Sequence, residues 1–187
     1  MRIISGKARG KKLKSLPGSN TRPTTDRVKE ALFNILSSHL EGCSFLDLFA
    51  GNGGIGIEAL SREAEKVVFI EQNPRCVAII KENLKAANLV GEVYQNDVLK
   101  ALKLLRMKQE VFDIIFLDPP YERGLIAPVL RAICENSLLA IDGIVVAECG
   151  KKEDIPESVS KLTRVRLANY GTTVLAFYKF EEGSCEK

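Results

Sequence analysis

Two stretches of the chain carry residue types whose order could do chemistry: Asp118-Pro119-Pro120-Tyr121 and Asp47-Leu48-Phe49-Ala50-Gly51-Asn52-Gly53. In the first, two successive prolines fix φ and carry no N–H, so a stiff backbone presents acceptors. The Asp118 carboxylate and the Pro119 carbonyl can accept the hydrogens of an amino group, and Tyr121 offers an aromatic face to a planar base. An exocyclic amine on a base is a poor nucleophile because its lone pair is delocalised into the ring. Accepting its hydrogens holds the nitrogen and favours the pyramidal form required for in-line attack on a methyl electrophile. A bare Asp-Pro-Pro-Tyr is also an ordinary turn, so its meaning depends on its surroundings.

The second stretch supplies them. An apolar run reaches Asp47, and Gly51, Gly53, Gly54 and Gly56 then open a helical pattern. Strand, glycine turn and helix in that order build a nucleotide site, because glycine accepts positive φ and lets a ligand approach the backbone. Gly51, Gly53 and Gly56 also satisfy the dinucleotide pattern G-x-G-x-x-G, and Glu71 follows Gly51 by twenty residues, where it can accept ribose hydroxyls. These features suit NAD or S-adenosylmethionine. Asp47, at the end of the first strand, favours the latter: it can face the methionine ammonium and is awkward beside a pyrophosphate. Asn96-Asp97 can meet the adenine edge. The competing reading of Asp47 and Asp97 is helix capping or strand-end solvation.

The elements that must position these groups follow from periodicity. Apolar runs at 44–48, 66–70, 92–95, 112–117 and 143–148 are expected as strands, alternating with helices over 56–62, 74–87, 98–107 and 125–136. Such alternation predicts a mostly parallel sheet with helices on both faces. Residues 163–168 and 173–180 predict an antiparallel hairpin around Asn169-Tyr170-Gly171-Thr172. Ahead of the first strand, Val28, Leu32, Ile35 and Leu36 mark a helix that Thr24 or Thr25 can cap.

At 187 residues the chain fits one domain, 1–187, in which 1–22 form a basic hairpin or arm, 23–180 the core and 181–187 a tail. Nine lysines and arginines face two carboxylates in the first thirty residues, a local +7 in a chain of net charge +3. Lys7, Arg9, Lys11, Lys12, Lys14, Arg22 and Arg27 are the candidates for gripping a polyanion, with nucleic acid ahead of a merely solvated terminus. Leu13 alone among the central residues of the arm is expected to pack on the body, and the arm is expected to lie outside the glycine turn. Five scattered cysteines without a C-x-x-C pair, and His39 as the single histidine, suggest neither a disulfide framework nor a metal site. No apolar run approaches a membrane span, and a monomeric cytoplasmic protein is expected.

Asp-Leu-Phe-Ala-Gly-Asn-Gly, Glu71, Asn96-Asp97 and Asp-Pro-Pro-Tyr in this order resemble the class I S-adenosylmethionine methyltransferases that modify amino nitrogens. Arg22-Pro23-Thr24, Asp26–Asn34 and Gly56–Arg62 narrow the resemblance to the bacterial RsmD family, over nearly the whole chain from Arg2 to Phe180. The departures are Asn52-Gly53-Gly54, where the family more often has serine and a small residue, and Glu63 in place of glycine. The resemblance implies a Rossmann-like fold and methylation of guanine N2 in 16S rRNA, free or in a small-subunit assembly particle. It gives Asp47 and the backbone of Phe49, Ala50, Gly51 and Gly53 to the methionine part of the cofactor, Glu71 to the ribose, and Asn96 or Asp97 to the adenine. Asp118 and Pro119 would bind the amine and Tyr121 stack on the guanine, with Pro120 the remaining member of the catalytic tetrapeptide. Rival readings are methylation of adenine N6 or cytosine N4, a silent RNA-binding protein on the same fold, and an NAD oxidoreductase.

Overall fold

The computed structural model describes residues 1–16, 25–120 and 123–181. Eight strands form one sheet: β1 Ser44–Leu48, β2 Lys66–Glu71, β3 Glu92–Gln95, β4 Phe112–Leu117, β5 Leu139–Gly150, β6 Ser158–Val159, β7 Leu162–Tyr170 and β8 Thr173–Phe180. Their order is β3-β2-β1-β4-β5-β8-β7-β6. The first five are mutually parallel, and β8, β7 and β6 continue the sheet antiparallel. The helices are α1 Asp26–Ile35, α2 Gly54–Ser61, α3 Pro74–Ala87, α4 Val98–Met107 and α5 Ile126–Glu135. The expected alternation is therefore present. It differs in a start of α2 two residues earlier, a longer β5, a β7 that continues through the expected turn residues Asn169 and Tyr170, and the short β6.

Local signals set the helix ends. Thr25 caps α1 by accepting from Val28 N at 3.3 Å, with Asp26 in the first turn where the helix dipole favours an anion. Asn73 and Pro74 open α3, and Asn88 closes it at φ 56°. Two apolar layers sandwich the sheet. One packs α1, α2, α3 and the N-terminal arm on Phe45, Val67, Phe69, Ile114, Phe116, Ile144 and Val146. The other packs α4 and α5 on Leu46, Leu48, Ile115, Leu117, Val145 and Ala147. Burial on both faces explains why these strands read as continuous apolar runs.

The arm is more firmly seated than its composition predicts. Among the described residues the antiparallel bridge of Arg2 with Lys12 joins its two sides, supported by Ile3 N donating to Lys11 O and Leu13 N to Met1 O. Ile3 and Ala8 are buried along with Leu13, which corrects the expectation that Leu13 alone packs on the body. The fully buried Glu58 of α2 accepts from Ile4 N at 2.8 Å and Ser5 N at 2.9 Å, and pairs with Lys29 of α1 at 3.2 Å. Ser61 completes the seat: its Oγ accepts from Ala8 N, and its carbonyl accepts from Lys7 N at 2.8 Å. Gly6 is forced, with φ at +80° and the carbonyl oxygen of Ser61 where a Cβ would stand, 1.7 Å away.

Candidate active site

Alternation along parallel strands gathers acidic side chains at one place. Asp47 on β1 follows Phe45 by two residues, and Glu71 ends β2 two residues after Phe69, on the α1–α3 face. Glu148 follows Val146 on β5 in the same way, and Asp118 lies one residue beyond the Leu117–Ala147 pair of β4 and β5. Four carboxylates thus meet near the carboxyl ends of adjacent strands, where ligands of open α/β sheets sit.

Each carboxylate has a distinct setting. Asp47 is 2% exposed and accepts from Gly56 N at 2.9 Å, so it organises the first turn of α2. Burial pushes its carboxyl up to about 7; the Gly56 bond works against that rise and the nearby Glu71 with it. Glu71 ties the crevice together, accepting from Gly51 N at 2.8 Å and from Asn73 N at 2.7 Å. Asp118 is held well above the usual carboxylate range by burial first, then by Glu148, Asp47 and Glu153. Among the described residues no group of three or more His, Cys, Asp or Glu is arranged to hold a metal ion.

The turn between Asp47 and α2 is shaped for a close ligand. Phe49, Gly51 and Gly53 all have positive φ, at 61°, 57° and 79°. At Gly51 a Cβ would reach nothing closer than Phe49 O at 4.0 Å, so the open side of this backbone is free for a ligand. Ala50 is buried with its N–H on Ile70 O, and Gly53 N closes the turn on Ala50 O at 2.7 Å. Asn96 hangs from Glu71 O by its backbone N–H, whereas Asp97 is the N-cap of α4, accepting from Lys100 N at 3.1 Å. Both readings of Asp97 are thus physically compatible, because the cap uses one oxygen of an exposed carboxylate.

The candidate catalytic tetrapeptide is placed in part. Asp118 is half-buried, Pro119 buried and Pro120 exposed, directly after β4, while Tyr121 lies outside the described residues. Arg22 also lies outside them. Lys7, Arg9, Lys11, Lys12, Lys14 and Arg27 are all exposed. Lys11 Nζ donates to Ala87 O at 2.9 Å, and Lys14 Nζ pairs with Glu82 at 2.8 Å, so two of the arm's cations have partners within the chain. Lys14 also reaches the glycine turn: its carbonyl accepts from Asn52 Nδ2 at 3.4 Å. The arm therefore does not lie outside that turn. Glu148 is an acid of the site absent from the sequence candidates, although its place near the end of an apolar strand repeats that of Glu71.

An open sheet of five parallel strands completed by antiparallel ones, with a glycine turn after β1 and acids at the strand ends, defines a Rossmann-like protein of the methyltransferase class. The family described as "Conserved hypothetical protein 95" matches residues 1–179, and the chain belongs to it. The RsmD-type resemblance is thereby borne out. YlbH of Bacillus subtilis (strain 168), whose name provisionally marks it as an rRNA methyltransferase, is 42% identical over 181 residues, 96% of this chain and 98% of its own. "Ribosomal RNA small subunit methyltransferase D" of Haemophilus influenzae is 39% identical over 158 residues, covering 83% of this chain and 81% of its own. Among solved structures, a hypothetical protein of Thermus thermophilus superimposes with a TM-score of 0.84 at 31% identity, covering 96% of this chain and 99% of its own.

Proposed function

We propose that this protein transfers a methyl group from S-adenosylmethionine to the exocyclic N2 amine of a guanine in small-subunit rRNA. The observation that carries the reading is the convergence of Asp47, Glu71, Asp118 and Glu148. A crevice lined by carboxylates repels a pyrophosphate, which argues against a dinucleotide. It attracts a cofactor that carries an ammonium and a sulfonium, and it offers acceptors to an amine. The cofactor supplies one thing to the chemistry, an electrophilic methyl carbon.

The chain's own residues do the rest. Asp47 faces the ammonium, whose charge favours the ionised carboxylate over the neutral form that burial favours. The positive-φ backbone at Phe49–Gly53 gives close approach. Glu71 uses one lone pair on each oxygen for Gly51 N and Asn73 N, which leaves acceptor capacity for ribose hydroxyls. Asn96 and the other oxygen of Asp97 serve the adenine edge. Asp118 and the Pro119 carbonyl accept the two amine hydrogens, Pro120 stiffens the turn, and Tyr121 stacks on the base. The target guanine must be exposed or flipped from its RNA before it can enter. The small-subunit target is supported by the names of the relatives and guanine N2 by the family resemblance.

Incubation with methyl-labelled S-adenosylmethionine and either unmodified 16S rRNA or small-subunit particles, followed by digestion to nucleosides, tests the reading. N2-methylguanosine is the expected product. Methyladenosine or methylcytidine would reassign the base, and absence of transfer to either RNA substrate would overturn the function.

A further inference from the structure

Asn83 of α3 is a polar residue buried to 1% exposure, yet none of its side-chain bonds serves its own helix. Its Oδ1 accepts from Lys14 N at 2.8 Å. Its Nδ2 donates to Lys14 O at 3.0 Å and to Asn52 O at 2.9 Å. The partners fix the orientation of the amide, because an N–H must meet its oxygen and two carbonyls must meet its nitrogen. One side chain therefore holds the backbone of two separate loops, the basic arm at Lys14 and the glycine turn at Asn52. Asn52 strengthens the junction, reaching Lys14 O with Nδ2 and accepting from Gly54 N at 3.1 Å.

We propose that Asn83 is a positioning residue that couples the basic arm to the cofactor turn, so that RNA and cofactor each strengthen the binding of the other. The proposal rests on the reading of the arm as RNA-binding and of the turn as cofactor-binding. A cofactor seated on the turn holds Asn52 in the arrangement in which its carbonyl meets Asn83. RNA on Lys12 and Lys14 holds the arm in the register in which Lys14 meets the same amide. Both ligands favour one arrangement of the junction, and the first to bind removes the ordering cost for the second. Linkage requires the effect to be equal in both directions.

The test measures the affinity of S-adenosylhomocysteine, which cannot react, by calorimetry with and without saturating unmodified 16S rRNA transcript. Wild type should bind it about fivefold or more tightly when RNA is present, at the lower end of ordinary coupling. Asn83→Asp keeps the acceptor for Lys14 N but removes both donors, and should bring the ratio to within about twofold of one. Glu82→Ala should retain the wild-type ratio, because it removes the partner of the Lys14 ammonium and leaves the Lys14 backbone on Asn83. A thermal melt reports whether Asn83→Asp is folded; if it is not, Lys14→Pro removes the N–H from the exposed arm instead and should abolish the ratio. A purely structural amide would weaken both binary affinities and leave the ratio alone. A ratio of one in wild type, or a wild-type ratio in Asn83→Asp, would overturn the proposal. Failure of wild type to bind either ligand by itself would instead overturn the functional reading beneath it.

Discussion

The strand-end crevice and the N-terminal arm are both loops held by hydrogen bonds between side chains and backbone, but the bonds run in opposite senses. In the crevice the candidate site side chains themselves organise the backbone: Asp47 holds Gly56 N, and Glu71 holds Gly51 N and Asn73 N. In the arm the organising side chains come from elsewhere. Glu58, Ser61 and Asn83 of α2 and α3 hold the backbone of Ile4, Ser5, Ala8 and Lys14, while Lys7, Arg9 and Lys12 stay exposed. Buried acids in both regions take donors from the chain itself, since an unpaired buried charge is costly. Exposed cations need no partner and can be kept for a ligand, provided that another element fixes their backbone.

The contrast can be broken most severely at the arm's seat. Gly6→Ala places a methyl group against the Ser61 carbonyl with a backbone φ that alanine resists. A loss at or above about 3 kcal/mol in denaturant unfolding is expected, beyond the ordinary overpacking range, or release of the arm seen as rapid proteolysis near residue 6. Wild-type stability with the arm still protected would show that the seat is not what holds the arm.

On the crevice side, Glu71→Ala should weaken S-adenosylmethionine binding by about 1.5–3 kcal/mol, since it removes a charge-assisted acceptor and frees Gly51 N. Calorimetry reads this directly, and an unchanged affinity would remove Glu71 from the site. The pH dependence sharpens the same side. The buried Asp47 keeps its proton up to about 7, whereas an unfolded carboxyl loses it near 4. Between those values the folded state binds more protons, so this group makes stability fall as pH rises from about 4 to about 7. Cofactor binding must run the other way, because the ammonium requires the carboxylate. Affinity should climb by at most about tenfold per pH unit below about 7 and level off above it. Asp47→Asn should flatten that climb.

The smallest effect is expected at the arm's cations. Replacing Arg9, Lys11 and Lys12 together by alanine should weaken RNA binding and make its dependence on salt shallower by up to about 0.7 per lost phosphate contact on single-stranded RNA. Lys11 should contribute least, because its ammonium already bonds Ala87 O. The same affinity and salt slope as wild type would return the arm to a solvated terminus.

The parallel core was legible in the sequence because its signals are local. The apolar runs of β1, β3 and β4 and the period of α3 and α4 have the expected bounds, and Asn96, Asp118 and Asn88 directly follow β3, β4 and α3. Asp47, Glu71 and Asp118 were legible for the same reason, since each ends an apolar run. The extension of β5 was hidden by the polar Asp142-Gly143 pair and by the register shift against β4, and the two residues of β6 carry no pattern. The arm's seat was not legible because it is a tertiary fact. Glu58 and Asn83 read as ordinary polar positions of helices, and only the fold shows that the backbone they hold lies dozens of residues away.

The account turns on Asp118 as the acceptor of the target amine. Single-turnover methyl transfer to unmodified 16S rRNA or small-subunit particles, by wild type and by Asp118→Ala at saturating S-adenosylmethionine, tests it most directly when cofactor affinity is measured on the same preparations. In Asp118→Ala the transfer rate should fall by about 10²- to 10⁴-fold, with the cofactor dissociation constant within a few fold of wild type. A transfer rate within tenfold of wild type would contradict it and place the acceptor on another carboxylate of the crevice.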